Sequence, residues 1–147
     1  MEKDRLLEEA KLHFSTKLRT LDAHIRTVQD ANQESKSSVG DKYETGRAMA
    51  QNEVFQLKTQ YEALRQEVEK LLHLPRPQTH EHISAGHLIK TRKGWFFLGA
   101  ALGKFNCEGK VIFFISLDSP LGTAIHRKKK GEDFLVNAVK DEVLDLL

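Results

Sequence analysis

The sequence predicts an α+β protein in which an antiparallel helical hairpin precedes a small antiparallel sheet with one short helix. Apolar residues recur at helical spacing in two segments of the first half, and Gly40 separates these segments. After about residue 80 the apolar spacing becomes that of strands. Pro75 and Pro77 lie at the change and predict an extended connector. We therefore expect a hairpin over residues 1–74, a linker over 75–82 and a sheet domain over 83–147.

Both helical segments carry the apolar seam of a coiled coil, with spacings that alternate between three and four. The first seam consists of Leu7, Phe14, Leu18, Leu21, Ile25 and Val28, and the second of Ala50, Val54, Leu57, Tyr61, Leu64, Val68 and Leu71. Lys11 takes the one seam position of the first segment that is not apolar. Pairing Leu7 with Leu71 also pairs Val28 with Ala50, which predicts a turn at Val39-Gly40. Arms of about 30 residues would be on the order of 45 Å long.

Composition favours a soluble, cytoplasmic protein. The net charge of +2 is too small to indicate a dedicated nucleic-acid binder. Cys107 is the single cysteine, which leaves no disulfide framework and no thiolate zinc site. The N-terminal residues are too charged for a signal peptide, and no apolar run approaches the length of a membrane span.

Strand-like segments follow the connector. We predict strands at residues 87–91, 95–100, 110–116, 134–136 and 142–146, and we expect residues 111–115 to be central and buried on both faces. Ser119 as N-cap and Pro120 at the first helical position predict a short helix that ends near Gly131. The basic residues 127–130 would then be a solvated helix end, which we favour over a nucleic-acid patch.

Four histidines lie near the connector: His73, His80, His82 and His87. They lack a third ligand at a regular zinc spacing, so we interpret them as linker and strand-edge residues.

The turn between the two helices carries two carboxylates, Asp41 and Glu44. One interpretation is a capping box, with Asp41 as N-cap and Glu44 three residues later. The other is a metal half-site, because carboxylates three apart on a helix can share one hard cation such as Mg²⁺. Two carboxylates alone hold Mg²⁺ weakly, so the second interpretation requires a partner that supplies further ligands.

Two segments resemble the Gre-type transcript cleavage factors of bacteria. Asp118-Ser119-Pro120-Leu121-Gly122, followed by Lys128-Lys129-Lys130-Gly131-Glu132, is similar to the family's "SPLGRAL-GKK-GD" segment. Gly40-Asp41-Lys42-Tyr43-Glu44 is similar to its "GD-x-x-E" tip, and it falls in the middle of a hairpin of the right length. The resemblance extends to the order of parts along nearly the whole chain, and it implies that the sheet domain is FKBP-like.

The resemblance also implies a function. Such factors bind RNA polymerase with their C-terminal domain, and their coiled coil enters the secondary channel and meets nascent RNA and DNA in the elongation complex. Asp41 and Glu44 would share Mg²⁺ with the polymerase and stimulate its intrinsic cleavage of backtracked RNA. Asp118, Ser119 and Pro120 would contact the polymerase. The chain would be a monomer with no cofactor of its own, no membrane partner and no independent enzymatic activity.

Two alternatives stay open. The family continues its tip with "ENAEY", whereas Thr45-Gly46-Arg47 follows Glu44 here, so the chain could be a channel-binding regulator that does not stimulate cleavage. A coiled-coil adaptor that self-associates through the same seam belongs to another class. A free-standing enzyme is disfavoured because the sequence has no recognised nucleophile motif, phosphate loop or dinucleotide fingerprint. Prolyl isomerase activity rests on the expected fold alone.

Overall fold

Two long helices occupy the N-terminal half of the chain. The computed structural model describes residues 2–36 and 44–147, without the side chains of residues 33–36 and 44–47. Helix α1 spans Lys3–Lys36 and helix α2 spans Glu44–His73. No helix in the described part of the chain is long and apolar enough to cross a membrane.

The chain divides into two compact units. The helical unit comprises residues 13–66, and the sheet unit comprises residues 1–12 together with 67–147. The start of α1 and the end of α2 therefore belong to the same unit, as expected for an antiparallel pair. The domain limits at residues 74 and 83 rest on the sequence alone and stay a prediction.

The predicted seams are confirmed by burial. Phe14 and Ile25 are only 1% and 5% exposed, and Val68 and Leu71 are 2% and 1% exposed. The remaining seam residues, including Lys11, are half-buried, and most residues between them are exposed. Leu6 and Ala10 in α1 are also fully buried, although they lie outside the predicted seam. Within the sheet unit, the buried surface at the start of α1 is therefore wider than the predicted apolar seam.

A six-stranded sheet and one short helix form the rest of the sheet unit. The strands are β1 Leu88–Thr91, β2 Gly94–Leu98, β3 Gly103–Cys107, β4 Lys110–Ile115, β5 Asp133–Val136 and β6 Val139–Leu146, and helix α3 is Pro120–Ile125. Their order in the sheet is β3-β4-β2-β1-β6-β5. The α+β class is confirmed. One detail differs, because β2 and β4 pair in parallel while the other neighbours are antiparallel.

The two faces of the sheet have separate apolar layers. On one face, Ile89, Leu98 and Val143 pack in a cluster with Ile125 of α3. On the other face, the rings of Phe97 and Phe114 lie 5.0 Å apart on paired positions of β2 and β4. Side chains that alternate along each strand supply both layers.

The prediction that residues 111–115 are buried on both faces is wrong. Ile112 and Phe114 are buried, but Phe113 between them is 41% exposed. Phe113 stacks on Phe96 of the neighbouring strand, with ring centroids 5.9 Å apart. The short α3 does not extend over this pair, so an apolar strand keeps one partly open face.

Helix α3 ends earlier than the sequence predicts. It stops at Ile125 rather than near Gly131, and Arg127 has a left-handed φ of 67°. The backbone beyond the helix pairs instead with Ile83, whose N–H donates to the Lys128 carbonyl and whose carbonyl accepts from Arg127 N–H, each at 2.8 Å. The basic residues 127–130 therefore lie in a turn after the helix, and stabilisation by the helix C-terminus does not account for them.

Candidate functional site

The segment that leads into α3, residues 116–119, is called the entry loop here, and its geometry is set by Ser119. The Ser119 hydroxyl accepts a hydrogen bond from Gly122 N–H at 2.9 Å and donates one to the Ser116 carbonyl at 2.8 Å. Pro120 occupies the start of the helix, where its missing N–H costs nothing. The predicted N-cap is confirmed, and one side chain joins both ends of the loop.

A glycine is required on the inner side of this loop. A Cβ at Gly122 would lie 2.0 Å from the Ser116 carbonyl oxygen, far inside contact distance. Thr123 adds a further tie, since its hydroxyl donates to the Leu117 carbonyl at 3.2 Å. The entry loop is consequently held by the first turn of α3, and its exposed side chains are presented in fixed positions.

Asp118 of the entry loop and Pro120 at the start of α3 are exposed to solvent, and Leu117 is 39% exposed. Asp118 has no ion pair within the described residues. Asp118, Ser119 and Pro120 are thus placed together at the surface, with a carboxylate beside apolar groups. Such a combination suits the contact surface of a protein partner better than a catalytic centre.

An apolar hollow of about 270 Å³ lies between α3 and the β5–β6 hairpin. It is lined by Phe96, Leu121, Phe134, Val136 and Val139, with Asp141 at its polar edge. Asp141 is buried, and its carboxylate accepts hydrogen bonds from the backbone N–H groups of Arg92 and Glu142. Sequence reasoning missed this hollow, because its lining comes from β2, α3 and the β5–β6 hairpin, which are far apart in the sequence.

The structure does not describe the side chains of the two turn carboxylates. Asp41 lies outside the described residues. Helix α2 begins at Glu44, whose side chain is not described. Sharing of Mg²⁺ by these two residues therefore remains a prediction. Elsewhere, among the described residues, no group of three histidine, cysteine or acidic side chains is placed to hold a metal ion.

A polar cluster joins the start of α1 to the β3–β4 turn within the sheet unit. The Cys107 thiol donates to the Glu9 carboxylate at 3.1 Å, and Arg5 pairs with both Glu9 at 3.2 Å and Glu108 at 3.1 Å. Burial, and then the hydrogen bond to Glu9, raise the pKa of the Cys107 thiol to about 11. This thiol is therefore protonated and unreactive at neutral pH, and it acts as a hydrogen-bond donor.

His87 is a buried structural residue rather than a strand-edge histidine. Its Nδ1 lies 2.9 Å from the Ser84 backbone N–H, which donates to it, and its Nε2 lies 2.9 Å from the Thr79 carbonyl oxygen. The proton therefore resides on Nε2. Burial, together with the nearby positive charge of Lys3, lowers the pKa of His87. The ring binds the connector to β1 in its neutral form.

Comparisons with known proteins found similar solved structures only. No family model matches the chain, and no curated protein is significantly similar to it. A structure of the transcription factor Gfh1 is 17% identical over 92% of each chain, with a TM-score of 0.37. GreA factor homolog 1 (Gfh1) of Thermus thermophilus is 14% identical over 93% of this chain and 94% of its own, with a TM-score of 0.38. Gfh1 of Thermus aquaticus is 14% identical over 91% of each chain, with a TM-score of 0.36.

Proposed function

We propose that this chain is an RNA polymerase-binding transcription elongation factor that stimulates cleavage of backtracked RNA. The observation that carries the proposal is the family-like segment Asp118-Ser119-Pro120 at the start of α3, where Asp118 and Pro120 are exposed and Ser119 caps the helix. A surface whose exposed groups are already ordered loses little conformational entropy on binding. The apolar hollow beside the loop supplies further area for a polymerase contact.

The helices provide the second part of the proposed mechanism. Helices α1 and α2 have 34 and 30 residues, and the family-like tip segment lies between them. In the complex, the polymerase would supply some of the ligands of a Mg²⁺ site, and Asp41 and Glu44 would supply the others. The metal would activate a water and neutralise charge on the cleaved phosphate. The chain would supply ligands, and the polymerase would carry out the reaction.

The burial of the seam supports a monomer over a self-associating adaptor. Phe14 and Ile25 are almost fully buried within a single chain. An adaptor that dimerises through the same seam would have to open these contacts first. We therefore assign the seam to pairing within the chain.

The docking proposal is tested by charge reversal at the entry loop. Asp118→Arg changes an exposed side chain that makes no capping hydrogen bond, so the fold should be kept. We expect it to weaken binding to the cognate core RNA polymerase about tenfold or more, measured by biolayer interferometry. Glu132→Arg, an exposed acid of the same unit, is the matched control and should bind as the wild type does. Equal binding by both variants would contradict the assignment of the loop.

A channel-binding regulator without cleavage activity is the second candidate. Resemblance to the family predicts an asparagine and a second acidic residue after Glu44. This chain has Thr45-Gly46-Arg47 there instead, and that difference favours the second candidate. Gly46 lies in the first turn of α2, where glycine is a weak helix former. Both candidates bind polymerase, so they are separated by cleavage rather than by binding.

A further inference from the structure

A cleft of about 250 Å³ lies in the sheet unit, where the start of α1, the end of α2, the connector and β2 meet. The entry loop does not line this cleft. Its lining combines cationic side chains with apolar ones.

Three cations line the cleft: Lys3, Lys11 and Arg76. Asp4 is its one acidic side chain, and it pairs with Arg76 at 3.1 Å. Lys3 and Lys11 are half-buried, and neither has an ion-pair partner among the described residues. Because the Asp4 carboxylate balances the charge of Arg76, the charges of Lys3 and Lys11 give the cleft a net charge of two positive units.

Both unpaired lysines are unusual for their positions. Lys11 takes a place in a seam that is otherwise apolar, where leucine would bury more surface. Lys3 is partly withdrawn from water, and this desolvation lowers its pKa. The Asp4 carboxylate opposes this effect, but it also pairs with Arg76, so a bound anion would further stabilise the Lys3 cation.

Other features of the cleft also favour an anion. Lys3 and Asp4 are the first residues of α1, a helix of 34 residues whose N-terminus carries partial positive charge. His80 lines the cleft and can donate a hydrogen bond. The accessible apolar part of the lining, including Leu7, Leu74 and Pro77, would contact a non-polar or planar group.

We propose that this cleft binds a small phosphomonoester that carries a planar or apolar body, such as a mononucleotide. A phosphomonoester has a charge of about −1.5 to −2 at neutral pH, which matches the excess positive charge of the cleft. The phosphate would contact Lys3 and Lys11. The planar body would lie against Leu7 and Leu74, which are half-buried.

The test is isothermal titration calorimetry of the full chain with adenosine monophosphate, adenosine and inorganic phosphate. We expect saturable one-site binding of the monophosphate, at least about tenfold tighter than binding of either fragment. Adenosine binding as tightly would overturn the anion site, and inorganic phosphate binding as tightly would overturn the planar subsite. Absence of saturable heat at millimolar monophosphate would overturn the whole proposal.

Three variants make the test specific. Lys3→Gln and Lys11→Leu should each weaken binding about tenfold, because each removes a charge-assisted contact. Lys11→Leu also completes the apolar seam, so its melting temperature should not fall, and loss of binding cannot be attributed to unfolding. Lys104→Gln, an exposed lysine of β3, is the control and should bind as the wild type does. Binding unchanged in both cleft variants would contradict the assignment.

Discussion

His87 illustrates how a single buried side chain can make the connector depend on pH. Its neutral ring accepts from Ser84 N–H and donates to the Thr79 carbonyl. Burial and the positive charge of Lys3 oppose protonation of the ring, and they outweigh the hydrogen bonds to the Thr79 and Ser84 carbonyls that favour it. The sequence could not reveal this role, because it depends on Thr79 and Ser84 meeting the ring in space. By contrast, the cap at Ser119 could be predicted, since its partners lie within three residues of it.

Stability should therefore fall as the pH decreases below about 6.5, the ordinary pKa of histidine. The folded-state pKa of His87 is lowered by burial, so in this range the unfolded chain binds more protons than the folded chain. The loss should continue until the pH reaches the folded-state pKa and then level off. Thermal unfolding monitored by circular dichroism between pH 8 and pH 5 measures it.

The variant His87→Asn should unfold more easily at neutral pH, by about 1–3 kcal/mol, because a buried partner is left unsatisfied. It should also lose part of the pH dependence below 6.5. His24→Gln, on the exposed surface of α1, is the control and should keep both stability and slope. An unchanged slope in His87→Asn would show that other groups cause the pH dependence.

At the scale of elements, close packing at glycine fixes the end of α2 against the sheet. A Cβ at Gly99 would lie 2.7 Å from Cδ2 of Leu74, the residue that follows α2. Gly99 also has a φ of 143°. At Gly86, φ is 95°, and a Cβ would lie 3.0 Å from both the Pro75 carbonyl oxygen and Cδ of Pro77. The connector is thus packed on the sheet unit at two glycines.

Gly99→Ala should destabilise the protein by about 2–4 kcal/mol, since backbone strain and the clash with Leu74 add. Gly103→Ala is the matched control. Gly103 also has a positive φ, of 78°, but nothing lies within 4 Å of its Cβ position, so about 1 kcal/mol is expected. Denaturant unfolding gives both values. Leu74→Ala in the Gly99→Ala background should recover part of the loss, and strict additivity would contradict the contact.

Helices and strands could be predicted where the apolar pattern repeats over many residues or where capping and turn residues mark the ends of an element. The helical seams extend over several heptads, and burial confirms their positions. Strand β3 was missed because Gly103–Cys107 contains only two buried residues, Phe105 and Cys107, between glycine turns. The end of α3 was misplaced because a non-local contact, the backbone pairing with Ile83, competes with the helix. Local pattern carries no information about that partner.

For the molecule as a whole, we expect a monomer in solution. Size-exclusion chromatography with multi-angle light scattering should give a mass close to 16.8 kDa at micromolar concentration. The reason is that the apolar seam is already buried within one chain. A mass of twice that value that persists on dilution would favour the adaptor instead. Ile25→Asp should lower the melting temperature without producing a dimer, because it places a charge in the seam.

The claim that this chain stimulates RNA cleavage is tested with elongation complexes of the cognate polymerase, stalled and backtracked on a defined template with labelled RNA. We expect the chain, with Mg²⁺, to accelerate release of short 3′ fragments. Asp41→Asn and Glu44→Gln should each reduce the acceleration about tenfold or more, because each removes a proposed metal ligand. Asp30→Asn, an exposed acid on α1, should act as the wild type does. Absence of acceleration by a chain that is bound to the polymerase would contradict the claim and leave a regulator that does not stimulate cleavage.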